Sequence, residues 1–288
     1  MLINMKELLN VARENGFAVP AFNIGSLEIL KSVIESAESL NAPVILEIHP
    51  SELQYLTDAF IETVKRAAYE TKVPTVIHLD HGGSKKDIIR AINCGFTSVM
   101  IDGSTLSYED NVNITKEVSE IAHCVNVSVE GEIGTIGTTG LSFEGGASEV
   151  IYTDPKKAKD FIEKTNVDTL AVAVGTAHGL YPKGFKPNLK LNIIKEIKAI
   201  TNIPLVLHGG SGNPDEEVAA AAKLGICKVN ISSDVKSAFF NELKMYMSEN
   251  PNAYEPNEIF PSCILKASEV IKHKLKLLNT IDKAALYK

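Results

Sequence analysis

The chain has 288 residues, 44% hydrophobic and 23% charged, enough apolar side chain for a sizeable core and too much for a disordered polymer. Its 29 basic residues are outnumbered by 36 acidic ones, a net charge of −7, and no dense basic run occurs, which argues against a nucleic-acid groove. Any phosphate would have to be held locally, more by backbone N–H groups than by surface charge. Cys94, Cys124, Cys227 and Cys263 form no C-x-x-C pair, a spacing that suits a reducing compartment. The N-terminal residues carry charge too early for a secretory signal, and no apolar run reaches about 18 residues. A cytoplasmic protein that engages no membrane is expected.

Short β-rich runs alternate with helical patterns along most of the chain. In order, strands are expected at 17–23, 43–48, 74–80, 98–102, 125–130, 169–174, 204–208 and 227–231. Amphipathic stretches at 27–40, 85–94, 108–123 and 214–224 read as helices between them. Eight near-continuous hydrophobic strands separated by helices imply parallel strands buried on both faces, and a closed (β/α)8 TIM barrel is the economical arrangement. No G-x-G-x-x-G follows the first strand, as a doubly wound nucleotide-binding sheet would have it. Two segments break the rhythm: a Gly/Thr/Ser-rich loop at 131–153, and an irregular stretch at 245–261 followed by a helical tail. Residues 1–288 therefore read as one barrel domain with a C-terminal helical extension from about 252 to 288.

Chemistry in such barrels sits at the carboxyl ends of the strands, and seven of the eight expected strands end in polar residues. They are Asn23, the run His78-Leu-Asp80-His81, Asp102-Gly-Ser104, Glu130-Gly-Glu132, Gly175-Thr-Ala-His178, His208-Gly-Gly-Ser211 and Asn230-Ile-Ser232-Ser233. His81, His178 and His208 lie on separate strand ends and each precedes glycine. One such histidine would usually be structural; three suggest a shared metal, and neutral imidazoles suit zinc with a position left for substrate. His78 lies on the face of Asp80 and reads as a supporting residue. Asp80 would lie beside the substrate of a metal at His81. Asp102 and Glu130 read either as acid ligands of a second metal position or as groups that orient the histidines. Glu149 reads as a solvated loop acid. The glycine- and serine-rich turns after strands seven and eight occupy the usual phosphate position of a barrel.

The runs HLDHGG, SVEGEIG, AVAVGTAHGLYP, PLVLHGGSG and KVNISSD, in this order, resemble the class II fructose- and tagatose-bisphosphate aldolases, nearer the short tagatose/ketose-bisphosphate branch. The similarity spans Val19 to about Pro251. It implies a catalytic zinc on His81, His178 and His208, with Asp80 as the acid/base for the C4 hydroxyl. Gly179, Gly209, Gly210, Ser211, Asn230, Ile231, Ser232 and Ser233 would hold the dihydroxyacetone-phosphate half, with Asn23 close by. Asp102 and Glu132 match an alternative buried metal position. The resemblance further implies a monovalent cation, Na+ or K+, near the phosphate, a phosphorylated sugar as substrate, and a homodimer or homotetramer. In one respect the chain departs from the pattern: the loop after strand five lacks an acid at the expected place, and Glu144, a few residues later, is the candidate for proton exchange at the enediolate carbon.

The expected reaction is reversible cleavage of a ketose 1,6-bisphosphate, with zinc rather than a lysine Schiff base as electron sink. Fructose and tagatose bisphosphates differ only at C4, so the sugar stays open, as do other ketose phosphates and deoxy sugar acid phosphates. The segment Ile48-His-Pro-Ser-Glu departs from the family pattern where the aldehyde half would lie. Two rivals remain: a metal-dependent hydrolase, though Asn23 stands where its H-x-H would begin, and a non-catalytic sugar-phosphate-binding relative.

Overall fold

Runs such as Val-Ile-Leu-Glu-Ile and Thr-Val-Ile-His-Leu cannot leave their backbone groups unpaired in an apolar interior, so they pair with one another. In the computed structural model, which describes all residues except 141–145, 148, 183, 186 and 288, eight of them close into a parallel barrel. The strands are β1 (Val19–Asn23), β2 (Val44–Ile48), β3 (Thr75–Gly82), β4 (Ser98–Ile101), β5 (Ser128–Ile133), β6 (Thr169–Val172), β7 (Leu205–Leu207) and β8 (Ile226–Ile231). Each pairs with the next, and β8 closes on β1 in the register Val19↔Lys228 to Phe22↔Ile231. Every residue of these strands is buried, as expected for a sheet covered on both faces.

The helices are α1 (Met5–Asn15), α2 (Leu27–Ser39), α3 (Pro50–Glu70), α4 (Lys85–Cys94), α5 (Tyr108–His123), α6 (Pro155–Thr165), α7 (Leu191–Ile200), α8 (Asp215–Leu224), α9 (Ser233–Glu249) and α10 (Pro256–Leu277). Ser26, Ser84, Ser107 and Asp154 start four of them by accepting a backbone N–H of the first turn. α3 opens with a capping box of His49 and Glu52 around Pro50, and Thr57, at φ 66°, breaks its helical geometry. The irregular stretch expected at 245–261 is mostly helical instead. α9 runs on to Glu249, and α10 starts at Pro256 and keeps Pro261 inside, leaving only 250–255 outside the two helices. Proline is well tolerated at a first helical position, which is why Pro256 opens α10. The tail is helical as expected, ending in a 3₁₀ turn at Lys283–Leu286.

The segment 131–153 is tied down at several points. β5 takes its first three residues. Gly137–Thr138 pairs in parallel with Ala177–His178, and Thr135 bridges Ile151 in antiparallel fashion. Glu144 lies outside the described residues.

Two apolar clusters position the site. One fills the layer between strands and surrounding helices, with Phe22, Leu46, Leu79, Val99, Val129 and Phe161 among its members. The other plugs the amino end of the barrel, where α1 sets Met5, Leu8, Leu9 and Ala12 against Val19, Ala21, Ile45 and Val76. Each such side chain contributes roughly 1.5–3 kcal/mol by leaving water. Among the described residues, no helix is long and apolar enough to cross a membrane.

Candidate metal centre and active site

Side chains alternate along a strand, so every second residue faces the barrel interior. On β3 this gives Val76, His78 and Asp80; on β5 Ser128, Glu130 and Glu132; on β8 Lys228 and Asn230. The amino-end members meet α1: Val76 packs in its cluster, and Ser128 Oγ accepts the Lys6 N–H at 3.0 Å. The carboxyl-end members are polar and buried.

His81 is out of step, since regular alternation would turn it toward the helices. Its φ of 50° and a register shift between Leu79 and Gly82 on the β4 side re-aim it. The ring centroid then lies 4.9 Å from that of His178 and 4.6 Å from that of His208, which are 6.1 Å from each other. His178 ends the short strand beside Thr138, and its carbonyl accepts the Thr139 N–H at 2.9 Å. His208 follows β7 and is fully buried. One ring nitrogen from each of the three falls within 4.8 Å of the others.

Two carboxylates decide which nitrogens face inward. Asp102 Oδ2 lies 2.7 Å from His81 Nδ1, and Glu130 Oε1 lies 2.7 Å from His208 Nε2. A carboxylate accepts, so these nitrogens donate, and His81 Nε2 and His208 Nδ1 are left as the inward nitrogens, 2.8 Å apart. Two ring nitrogens at that distance share one positive group, a proton on His81 Nε2 or a cation bound by both rings. Burial lowers the His81 pKa, but Asp80, Asp102 and Glu132 outweigh it and raise it to about 10. The pocket demands positive charge at this ring. A divalent cation on the three imidazoles meets that demand, and the donor set suits zinc.

Asp80 lies beside the cluster, its Oδ1 3.8 Å from His81 Nε2. Asn23 Nδ2 donates to Oδ2 and Asn230 Nδ2 to Oδ1, each at 3.1 Å. Burial favours the neutral acid, but His81, His208 and Lys228 outweigh it and hold the carboxyl well below the usual range. Each oxygen keeps a further lone pair. Among the described residues, the buried oxygens of both asparagine amides have no partner, leaving polar capacity around Asp80 for a polyhydroxylated ligand, and the Ser232 hydroxyl beyond the β8 end is likewise unpartnered.

His81, Asp102 and Glu132 form a second group with ligand atoms within 4.8 Å. Glu132 Oε2 has no partner among the described residues, and burial, then Asp102, push the Glu132 pKa well up. A third group, Glu47, His78 and Asp80, is compact as well, but Lys228 Nζ lies 2.7 Å from Glu47 Oε1. An ammonium there is a poor neighbour for a metal. His78 meets Ser98 Oγ at 2.8 Å, and burial, then Lys228, lower its pKa to about 3, so it is neutral and supporting.

The turns after β7 and β8 lie against each other. Ser211 Oγ accepts from the N–H groups of Ser232 (3.3 Å) and Asp234 (3.2 Å), and α9 begins at Ser233 without a side-chain cap. The Gly210 N–H is spent on the Asn230 carbonyl at 2.9 Å. A Cβ at Gly210 would meet Val229 Cγ1 at 2.5 Å, so glycine here lets the two turns touch. Gly179 and Gly209 adopt positive φ, Ile231 turns into the core, and Glu149 is exposed. The sequence reading missed Glu47 and Lys228, and it flagged His49 only as part of the segment 48–52. Glu47 and Lys228 share the inward parity of Asn23 and Asn230, a signal present in the sequence. His49 caps α3 and brings its ring centroid to 6.4 Å from that of His81.

Residues 3–283 match the family model described as fructose-bisphosphate aldolase class-II. The solved YdjI aldolase from Escherichia coli K12 is 31% identical, with a TM-score of 0.86 over 99% of this chain and 100% of that one. A candidate fructose-1,6-biphosphate aldolase from Coccidioides immitis is 26% identical (TM-score 0.87, 98% of each chain). The fructose-bisphosphate aldolase of Campylobacter jejuni, at 22% identity and TM-score 0.81 over 98% and 96%, shares the fold. An aldolase barrel in which three imidazoles and an ionised aspartate converge agrees with these matches: the chain belongs to the class-II fructose-bisphosphate aldolase family, whose members are zinc-dependent lyases.

Proposed function

We propose that residues 1–288 form one catalytic unit that reversibly cleaves a ketose 1,6-bisphosphate, fructose or tagatose, to dihydroxyacetone phosphate and glyceraldehyde 3-phosphate. The observation that carries this reading is the convergence of two inward imidazole nitrogens and the His178 ring next to the Asp80 carboxylate. His81, His178 and His208 are the metal ligands, and Asp102 and Glu132 offer His81 an alternative position for it. Zinc, when bound, supplies a Lewis acid for the ketone and for enediolate charge.

Asp80 takes the C4 hydroxyl proton in cleavage and returns it in condensation. Asn23 and Asn230 steer its two oxygens and leave their own amide oxygens for substrate hydroxyls. Ser211, Ser232, Ser233 and the start of α9, with Gly179, Gly209 and the backbone of Ile231, hold the phosphate of the dihydroxyacetone half, while Gly210 and Asn230, joined N–H to carbonyl, shape the turns around it. That anchoring positions the reacting carbons. Glu144 delivers a proton to the enediolate carbon. The family resemblance adds a monovalent cation, Na+ or K+, near the phosphate and a cytoplasmic homodimer or homotetramer, which light scattering would test.

Cleavage of a panel of ketose bisphosphates and monophosphates, coupled to triose phosphate detection, decides the substrate. Fructose or tagatose 1,6-bisphosphate should be cleaved fastest, activity should vanish with a chelator, and zinc should restore it. Chelator-resistant cleavage trapped by borohydride would refute the metal reading.

A further inference from the structure

Lys228 is a fully buried lysine inside a barrel wall, a costly placement that apolar side chains normally fill. It faces inward on β8, two residues before Asn230. Its Nζ lies 2.7 Å from Glu47 Oε1 and 3.0 Å from Glu130 Oε2. Glu130 is thereby gripped at both oxygens, because Oε1 takes His208 Nε2 at 2.7 Å. His78 Nε2 stands 3.6 Å from Glu130 Oε2, and its other nitrogen is spent on Ser98. The four groups form one chain, Glu47–Lys228–Glu130–His208, ending on a ring whose Nδ1 faces His81 Nε2 at 2.8 Å and Asn230 Nδ2 at 3.5 Å.

Hydrogen-bond polarity runs through that chain in one direction. An ammonium has donors only, so Glu130 Oε2 must accept from it. A carboxylate bound this way offers His208 an acceptor, so His208 must carry its hydrogen on Nε2. We infer that Lys228 is a positioning residue for the metal cluster, acting through Glu130 to hold His208 in the tautomer that turns its Nδ1 lone pair toward His81. A side chain without donors at position 228 removes the 3.0 Å anchor on Oε2, so the Glu130 carboxylate can swing away from His208 Nε2. The ring can then move its hydrogen to Nδ1, facing the other ligands. Asp102 performs the matching task for His81, with its second oxygen held by the Ser104 N–H at 3.0 Å.

The inference rests on the proposed role of His208 as a ligand, and the experiment separates the two. Zinc affinity is measured by competition with a chromophoric chelator, and the His208 tautomer by NMR of 15N-histidine-labelled protein without metal. Lys228→Met should weaken zinc binding about 10–100-fold, as loss of an outer hydrogen-bond partner typically does, and should populate the Nδ1–H form of His208. Where that variant fails to fold, Lys228→Met/Glu47→Gln, which removes one buried charge of each sign, should show the same two changes, and so should Glu130→Gln. Folded Lys228 variants with parental zinc affinity and parental tautomer would overturn the inference while leaving His208 a ligand. Zinc binding that survives intact in His208→Ala would overturn the ligand role and the inference together.

Discussion

Asp80 sits between two asparagine amides, one on each oxygen, with histidines and a buried lysine keeping it ionised. Asp80→Ala should retain zinc by metal analysis yet lose roughly 10²–10⁴-fold in kcat/KM, the usual worth of a positioned acid/base. A near-parental rate would remove Asp80 from proton transfer. Gly210→Ala tests the contact between the turns after β7 and β8. The added methyl collides with Val229 and the Asn230 carbonyl, so thermal denaturation should show a loss of about 1–3 kcal/mol. The site was legible in the sequence wherever a residue stood at a strand end before glycine, as His81, His178 and His208 do. Glu47 and Lys228 went unread because a charged residue within a strand suggests a surface position, whereas the parity of His78, Asp80, Glu130 and Asn230 puts it inside. The orientation of His81 was not legible either, since it depends on a left-handed residue and a register shift that no side-chain pattern announces.

α1 is a lid on the amino end of the barrel rather than a βα unit. Leu9→Ala should cost about 2–5 kcal/mol in denaturant unfolding, because the cavity is lined by strand residues that cannot collapse into it. kcat should stay near parental, since the substitution lies at the end opposite the polar cluster. Serine- or aspartate-capped helices with a regular apolar face, such as α2, α4 and α5, were legible. α3 was not. Its buried positions are Leu53, then Ile61, Val64 and Ala68, and the break at Thr57 falls in the gap, hiding the 3.6-residue period. The junction of α9 and α10 misled because Pro251, Pro256 and Pro261 look like a disrupted segment, although two of them lie inside α10.

For the molecule as a whole, a metal that binds only the folded state adds stability by mass action. Zinc at about 100 times its dissociation constant should add about 2.7 kcal/mol to unfolding, and a chelator should lower Tm with no loss of helix signal below the transition. A Tm indifferent to zinc would contradict a high-affinity centre. The eight-stranded barrel could be read from sequence because each strand announces itself locally. The pairing of Gly137–Thr138 with Ala177–His178 could not, because it joins segments forty residues apart with no apolar repeat of their own.

The plug formed by α1 divides the barrel interior into a dry end and a wet end, and β3 crosses the boundary. Val76, His78 and Asp80 point the same way at steps of roughly 7 Å. The first packs against α1, the second backs the ion chain, and the third lies beside the His81 ring. A single strand is thus a graded axis. Substitutions at its start should register in melting curves, those at its middle in metal affinity, and those at its end in turnover. Sturdiness and sugar preference can then be engineered from opposite ends of the same strands, with little interference between the two.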